Sequence, residues 1–336
     1  MDSITHIVLG AAIGEAFAGK KLGKRAMFLG AVAQSLPDID FVAGAWNGTA
    51  ENLLAHRGFT HSFLFILLMA PVLGLVAERW HRPHNISLLK WSLFFGVNAL
   101  IHVLIDGMNS YGTGWFEPFS HARISYNWIF VADPFFSVWL AIGFIMLLVL
   151  RKKSPRRIFW VRFGILLSSI YLLYCVSNKW QTDRAARHSL AVAGIQYSKY
   201  FTTPTALNNW LWYIVAASDS GYYIGYRSVF DKKKEIDFHF YPRNEKWLEP
   251  VKDEEDLQRL LRFAQGYYTV EKEGEDLVFN DLRFGQVNGW DDLKAPFVFH
   301  YYLGKEGSND LVIQKGRFSG LNARVLGSLI RRIKGE

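Results

Sequence analysis

Cysteine is nearly absent: Cys175, inside an apolar run, is the single thiol in 336 residues. That excludes a disulfide framework and any Cys-rich zinc site. The N-terminus, "MDSITHIVLGAAIGEAF", has no basic n-region and carries Asp2 and His6. It does not read as a cleavable signal, so insertion into a membrane would have to be driven by the chain's own spans. Charge is also missing from the centres of three long apolar runs, 62–80, 129–150 and 158–178. A metal or proton transporter needs ionisable groups deep in its spans, and these centres offer almost none.

The basic excess is confined to one part of the chain. Residues 1–179 hold 16 Lys+Arg and 9 Asp+Glu, a net of +7, whereas 180–336 hold 22 and 21, a net of +1. A nucleic-acid binder would more often carry a basic face on a soluble domain. Here the cations sit in short loops between apolar runs, as membrane orientation signals do, and no nucleic-acid partner is expected. At about 150 residues per domain the length allows two. Composition divides them at 1–178, mostly apolar with concentrated polar motifs, and 179–336, an ordinary mixed sequence.

Four runs approach the roughly 20 residues that a membrane-spanning helix needs: 62–80, 90–106, 129–150 and 158–178. Two shorter apolar helices, 4–18 and 26–36, precede them. The loops 19–25, 78–90 and 151–157 carry four, three and five cations, against one each (Arg57 and Arg123) in 37–61 and 107–127. Twelve against two places the first set in the cytoplasm by the positive-inside rule. Everything after about residue 178 then falls outside. The expected architecture is a mainly α polytopic bundle with a C-terminal extramembrane α+β domain.

On this topology the polar motifs share one face. His6 starts the first helix, "PDID" (37–40) ends the second, and "HRGFTHS" (56–62) opens the third. "HVLID" (102–106) ends the fourth and "ADP" (132–134) opens the fifth. His102 and Asp106, four apart, lie on one helix face. Asp38 and Asp40 offer two carboxylates from a turn after Pro37. His56 and His61 supply imidazoles at the mouth of a span, and the spacing leaves open which of them ligates. Four imidazoles and three carboxylates without cysteine suit Zn²⁺, Mn²⁺ or Fe. Such a surplus of donors points to two ions, or to one ion with carboxylates orienting its histidines. Two ions would suit hydrolysis. His81 and His84 lie in a basic loop at the other face and are excluded. Plainer readings stand beside these: Asp38-Ile39-Asp40 as a turn and helix cap, Arg57 paired with a carboxylate or lipid phosphate, and Asp133 as the cap of the fifth helix. Ser62 and Thr60 read as capping or supporting groups, not nucleophiles.

"DSITHIVLGAAIG", "LPDIDF", "HRGFTHS", "HVLIDGMNSYGT", "PFS" and "NWIFVADP" resemble, in order, the YdjM-like family, described as membrane-bound metal-dependent hydrolases of the inner membrane. The likeness covers about 2–150. More distantly the chain is similar to the zinc-dependent phospholipase C and nuclease group. That likeness implies His6, Asp40, one of His56 and His61, His102 and Asp106 as ligands of one or two zinc ions. It departs from that group in lacking a downstream HxxxE helix, for which His121 is the only nearby candidate. Arg57, Asp38 and Asp133 complete the site as catalytic groups, Arg57 gripping an anionic oxygen through its planar fork. The expected activity is hydrolysis of an ester or phosphoester in a lipid or amphiphile at the outer membrane face. The alternative is a non-enzymatic regulator of the envelope, with a structural metal and a partner-binding tail.

In that tail, "WLWYIVAAS", "GYYIGYRSVF", "EIDFHFYP", "YYTVEKEGEDLVFND" and "FVFHYYL" read as strands. "DEEDLQRLLRFAQ" and "LNARVLGSLIRRIKGE" read as amphipathic helices.

Overall fold

The computed structural model describes residues 1–46, 48–81, 85–233, 235–251, 255–274, 276–303 and 323–335. His84, Asp253, Glu254, Leu321 and Asn322 lie outside the described residues. Helices α1 (Ser3–Leu22), α2 (Lys24–Ser35), α3 (Thr49–Ala55), α4 (Phe63–Trp80), α5 (Leu88–Asp106), α6 (Pro134–Val149) and α7 (Arg156–Val192) come first. Strands β1 (Lys199–Pro204), β2 (Leu211–Ala217), β3 (Gly221–Ser228) and β4 (Phe238–Pro242) follow. Then come α8 (Glu255–Ala264), β5 (Tyr268–Glu273), β6 (Asp276–Gln286), β7 (Phe297–Leu303) and α9 (Ala323–Ile333). The chain forms two compact units, Met1–Ala45 with Ala55–Cys175, and Trp46–Leu54 with Val176–Glu336.

In the first unit α1 packs on α2, α5 and α6, and α4 packs on α5. Small residues four apart permit the α1–α2 contact: Gly10 and Gly14 face Gly30 and Ala26, and a Cβ at Gly10 or Gly30 would meet the other helix's backbone carbonyl. Such small-xxx-small pairs let helices approach closely in a membrane. Glu15 and Arg157 form a buried fork of two 2.7 Å bonds, and Arg157 Nη1 also donates to Leu147 O and Leu150 O at 2.7 and 2.8 Å. A buried charge pair is tolerable only when so fully bonded.

Three described helices, α4, α5 and α7, are long and apolar enough to cross a membrane. Leu67, Leu68 and Val72 of α4 are exposed, as lipid-facing side chains would be. The fourth expected span, 129–150, is shorter than the sequence suggests: its helix α6 has 16 residues, about 24 Å at roughly 1.5 Å per residue. The cause is local. Asp133 accepts from the N–H groups of Phe135 and Phe136 and Pro134 takes the first helical position, a start signal that overrides the apolar pattern upstream. Helix α7 departs in the other direction and runs on to Val192. No glycine or proline interrupts 179–192, and the helix ends before Gly194 at φ 65°, where a left-handed glycine closes it.

The second unit holds two antiparallel sheets, β1-β2-β3-β4 and β5-β6-β7. Its core joins Tyr213, Val215, Tyr222 and Ile224 to Tyr267, Leu282 and Phe297, so many of the tail's aromatics are interior packing. Strand β1 is an addition to the sequence-based set: "KYFTTP" lacks an apolar run and is recruited by pairing with β2.

Candidate metal centre

Three segments of the first unit converge. A 3₁₀ helix, Pro37–Ala45, presents Asp38 and Asp40. The loop 56–62 turns through Arg57 at φ 60°, a left-handed conformation that costs a non-glycine residue of order 1–3 kcal/mol. The turn is held by Arg57 N–H donating to Asp40 Oδ2 at 2.9 Å and Gly114 N–H donating to Arg57 O at 2.9 Å. Ser62 Oγ then caps α4 by accepting from Phe65 N–H. Helix α5 carries Asn98, His102 and Asp106 at intervals of four, one inward stripe, and all three are fully buried.

The centre is defined by four atoms. His61 Nε2 and His102 Nε2 are 3.1 Å apart. Each lies 3.5 Å from Asp38 Oδ1 and 3.5 Å from Asp106 Oδ2. The hydrogen bond at each ring's other nitrogen assigns its tautomer. His102 Nδ1 faces Gln34 O at 2.5 Å, a group that can only accept. His61 Nδ1 faces Asp40 Oδ2 at 3.3 Å and Thr60 Oγ1 at 3.1 Å, the Thr60 hydroxyl itself donating to Asp40. With both protons at Nδ1, four lone-pair atoms face one another and repel unless a cation lies among them. Tetrahedral zinc with bonds of about 2.0–2.1 Å has ligand–ligand edges of about 3.3 Å, which the separations of 3.1–3.5 Å match. The donor set therefore fits a divalent ion, and this buried His/Asp cluster could hold one.

A second group of potential ligands, Asp38, Asp40 and His56, shares Asp38 with the first. It is less enclosed, with the His56 side chain 36% exposed and Asp38 22%. Burial would raise the Asp40 carboxyl, but hydrogen bonds from His56 and His61 hold it well below the usual carboxylate range. Burial lowers His56 more than Asp40 raises it, favouring the neutral imidazole that metals bind. Asp38, Asp40 and Asp106 bring three negative charges, which Arg57 and the Met1 amine offset only in part, so a single divalent ion balances the remaining negative charge. A second ion would leave positive charge for an anion to balance.

The remaining candidates take other positions. Arg57 is buried: its Nε lies 3.2 Å from Asp106 Oδ2, Nη1 donates to Asn109 Oδ1 at 2.9 Å, and the guanidinium sits 5.0 Å from the Tyr111 ring centre. His6 stacks on His102 and its Nε2 lies 3.3 Å from Asp106 Oδ1, the oxygen that the Met1 amine also contacts. It is in neither ligand group and lies against the Asp106 oxygen that is not part of the four-atom cluster. Asp133 caps α6 and accepts from Tyr171 Oη at 3.0 Å. His121 is exposed and paired with Glu117 at 2.7 Å. Sequence reasoning did not single out Asn98, Asn109 or Gln34. The four-residue spacing of Asn98 from His102 is a readable signal, whereas a backbone carbonyl such as that of Gln34 leaves none.

Asp40 contacts His56, His61, Thr60 and the Arg57 backbone together, as a carboxylate that orients metal-binding histidines does. Asp40→Asn is expected to lower the metal affinity of the buried position by about 10–100-fold while the chain still inserts. Metal titration of purified protein checks this, and wild-type affinity would remove Asp40 from the centre.

Comparison with known proteins agrees with the membrane architecture. Over 127 residues the chain is 32% identical to the inner membrane protein YbcI of Escherichia coli K12, covering 37% of this chain and 72% of that protein. Over 330 residues it is 24% identical to the uncharacterized protein YfhP of Bacillus subtilis 168, covering 91% and 92% of the two chains. No solved structure matches. The model of the YdjM inner membrane protein family matches residues 1–182, and the chain belongs to that family.

Proposed function

We propose that the protein is a membrane-embedded, metal-dependent hydrolase that cleaves an ester or phosphoester of a lipid or other amphiphile. Its site and second unit lie on the extracytoplasmic side, the side favoured by the loop cations. The observation that carries the proposal is the second ligand group. A structural zinc site is closed by four protein ligands, whereas a catalytic one keeps a position open. Asp38, His61, His102 and Asp106 by themselves would suit a structural ion, which is the non-enzymatic reading. Asp38, Asp40 and His56 supply only three donors on the exposed side of the same cluster, leaving room for substrate.

The chain's residues divide the work. His61, His102, Asp38 and Asp106 hold the buried position, with Gln34 O, Asp40 and His6 fixing their orientation. His56 and Asp40 complete the outer position with Asp38. Zinc, or manganese or iron, bound there would supply Lewis acidity and lower the pKa of water. The uncompensated positive charge of a doubly loaded centre favours an anionic ester over a neutral one.

The test is elemental analysis of purified protein, followed by a screen of phospholipids and soluble phosphoesters with and without chelator. Expected are close to two metal equivalents per chain, and a hydrolysis that chelation abolishes and zinc restores. One tightly held equivalent with no chelator-sensitive turnover on any substrate would favour the structural reading.

A further inference from the structure

At the end of the first unit away from the metal centre, three loops meet. Lys152 Nζ donates to Lys21 O at 3.0 Å, and Lys21 Nζ donates to Asn85 O at 2.9 Å. Lys20, Lys24, Arg25, Arg151, Lys153 and Arg156 are exposed on these loops. Of the carboxylates at this end, Glu15 is buried and fully engaged by Arg157, which leaves Glu78 as the acidic counterweight. Beside the basic face, between the end of α6 and the start of α7, lies a cavity of about 500 Å³ lined by Met146, Leu150, Pro155, Arg156, Phe159 and Trp160. Its wall is apolar apart from the one guanidinium.

An orientation signal needs only cations in a loop; it needs neither the convergence of separate loops nor an apolar slot beside them. A basic cluster next to membrane-spanning helices is the usual receptor for an anionic headgroup, and an apolar groove at bilayer depth is a berth for an acyl chain. We propose that this face binds an anionic phospholipid, its phosphate against Arg156 and the neighbouring cations and its acyl chain along Met146, Phe159 and Trp160. Charge complementarity selects the occupant: a zwitterionic lipid fills the slot equally well but gains little from the cations. The site is independent of the hydrolytic reading and needs only the chain's place in a bilayer.

Trp160 provides the readout. The full chain and Trp160→Phe are reconstituted in phosphatidylcholine vesicles doped with equal mole fractions of brominated phosphatidylglycerol or brominated phosphatidylcholine. Their fluorescence difference isolates Trp160. Quenching by the anionic lipid is expected to exceed that by the zwitterionic one. Arg156→Gln is expected to cut the preference about fivefold, the worth of one cation near an anionic surface, while Arg156→Lys retains it. Equal quenching by the two lipids would overturn the proposal, as would a preference that Arg156→Gln leaves untouched. In a further arm, inorganic phosphate is expected not to displace the brominated lipid; displacement would mean that the face takes a free anion instead.

Discussion

His102→Ala is expected to empty the buried metal position while the chain still inserts and purifies as the wild type does. His102 Nε2 lies within 3.5 Å of the donor atoms of His61, Asp38 and Asp106, so its removal takes away one of four ligands and leaves a neutral gap. Loss of a mere orienting partner costs about 10–100-fold in affinity, and loss of a ligand should exceed that. Asp106→Ala should do the same and also deprive Arg57 of its carboxylate, so it should lower stability as well. His56→Ala is the comparison: it touches only the outer group and should lose about one equivalent while the buried one stays. Elemental analysis of the three variants decides the matter. Full occupancy in His102→Ala would remove that residue from the ligand set, and loss of all metal in His56→Ala would mean that the two groups are one site.

Arg57→Ala is expected to lower metal occupancy and stability together, with turnover per bound metal near that of the wild type. The guanidinium is 3% exposed and is spent on Asp106, Asn109 and the face of Tyr111. These contacts favour a role in holding Asp106 in place over the one expected from the sequence, gripping a phosphoryl oxygen on the open side. Removing one partner of a buried ion pair leaves an uncompensated charge and costs about 3–5 kcal/mol, an effect that should be largest in metal-free protein. Arg57→Lys keeps the charge but loses the fork that reaches Asp106 and Asn109 together, so it should recover only part of the loss. The opposite result would restore Arg57 as a group acting on substrate: unchanged metal content and melting, with turnover reduced about 10²–10³-fold as for a missing oxyanion donor. Metal content and turnover measured on the same preparations separate the two outcomes.

Much of the first unit is legible in the sequence alone. Hydropathy located the helices that became α4, α5 and α7, because a membrane span is specified by a long run of one kind of side chain. It misplaced ends where a few atoms decide them: Asp133 and Pro134 shorten α6, and the lack of a breaker before Gly194 prolongs α7. Strands β2, β3 and β7 were visible as aromatic runs, whereas β1, with its threonines and terminal proline, was visible only through its partner β2.

The metal centre divides in the same way. That His102 and Asp106 share a face, and that both are expected at the same end of the bundle as His6, Asp38, Asp40, His56 and His61, follows from spacing and loop charge, which are properties of the chain. The role of each group within the cluster does not follow. Asp38 and Asp40 are two residues apart and chemically identical, yet only Asp38 reaches the four-atom cluster, while Asp40 orients His61. His6 faces the far oxygen of Asp106, and Arg57 faces inward to Asp106 and Asn109. Those assignments depend on differences of an ångström or two and on backbone groups such as Gln34 O. Close packing of α1, α2 and α5 sets those positions, and no pattern of residue types encodes them.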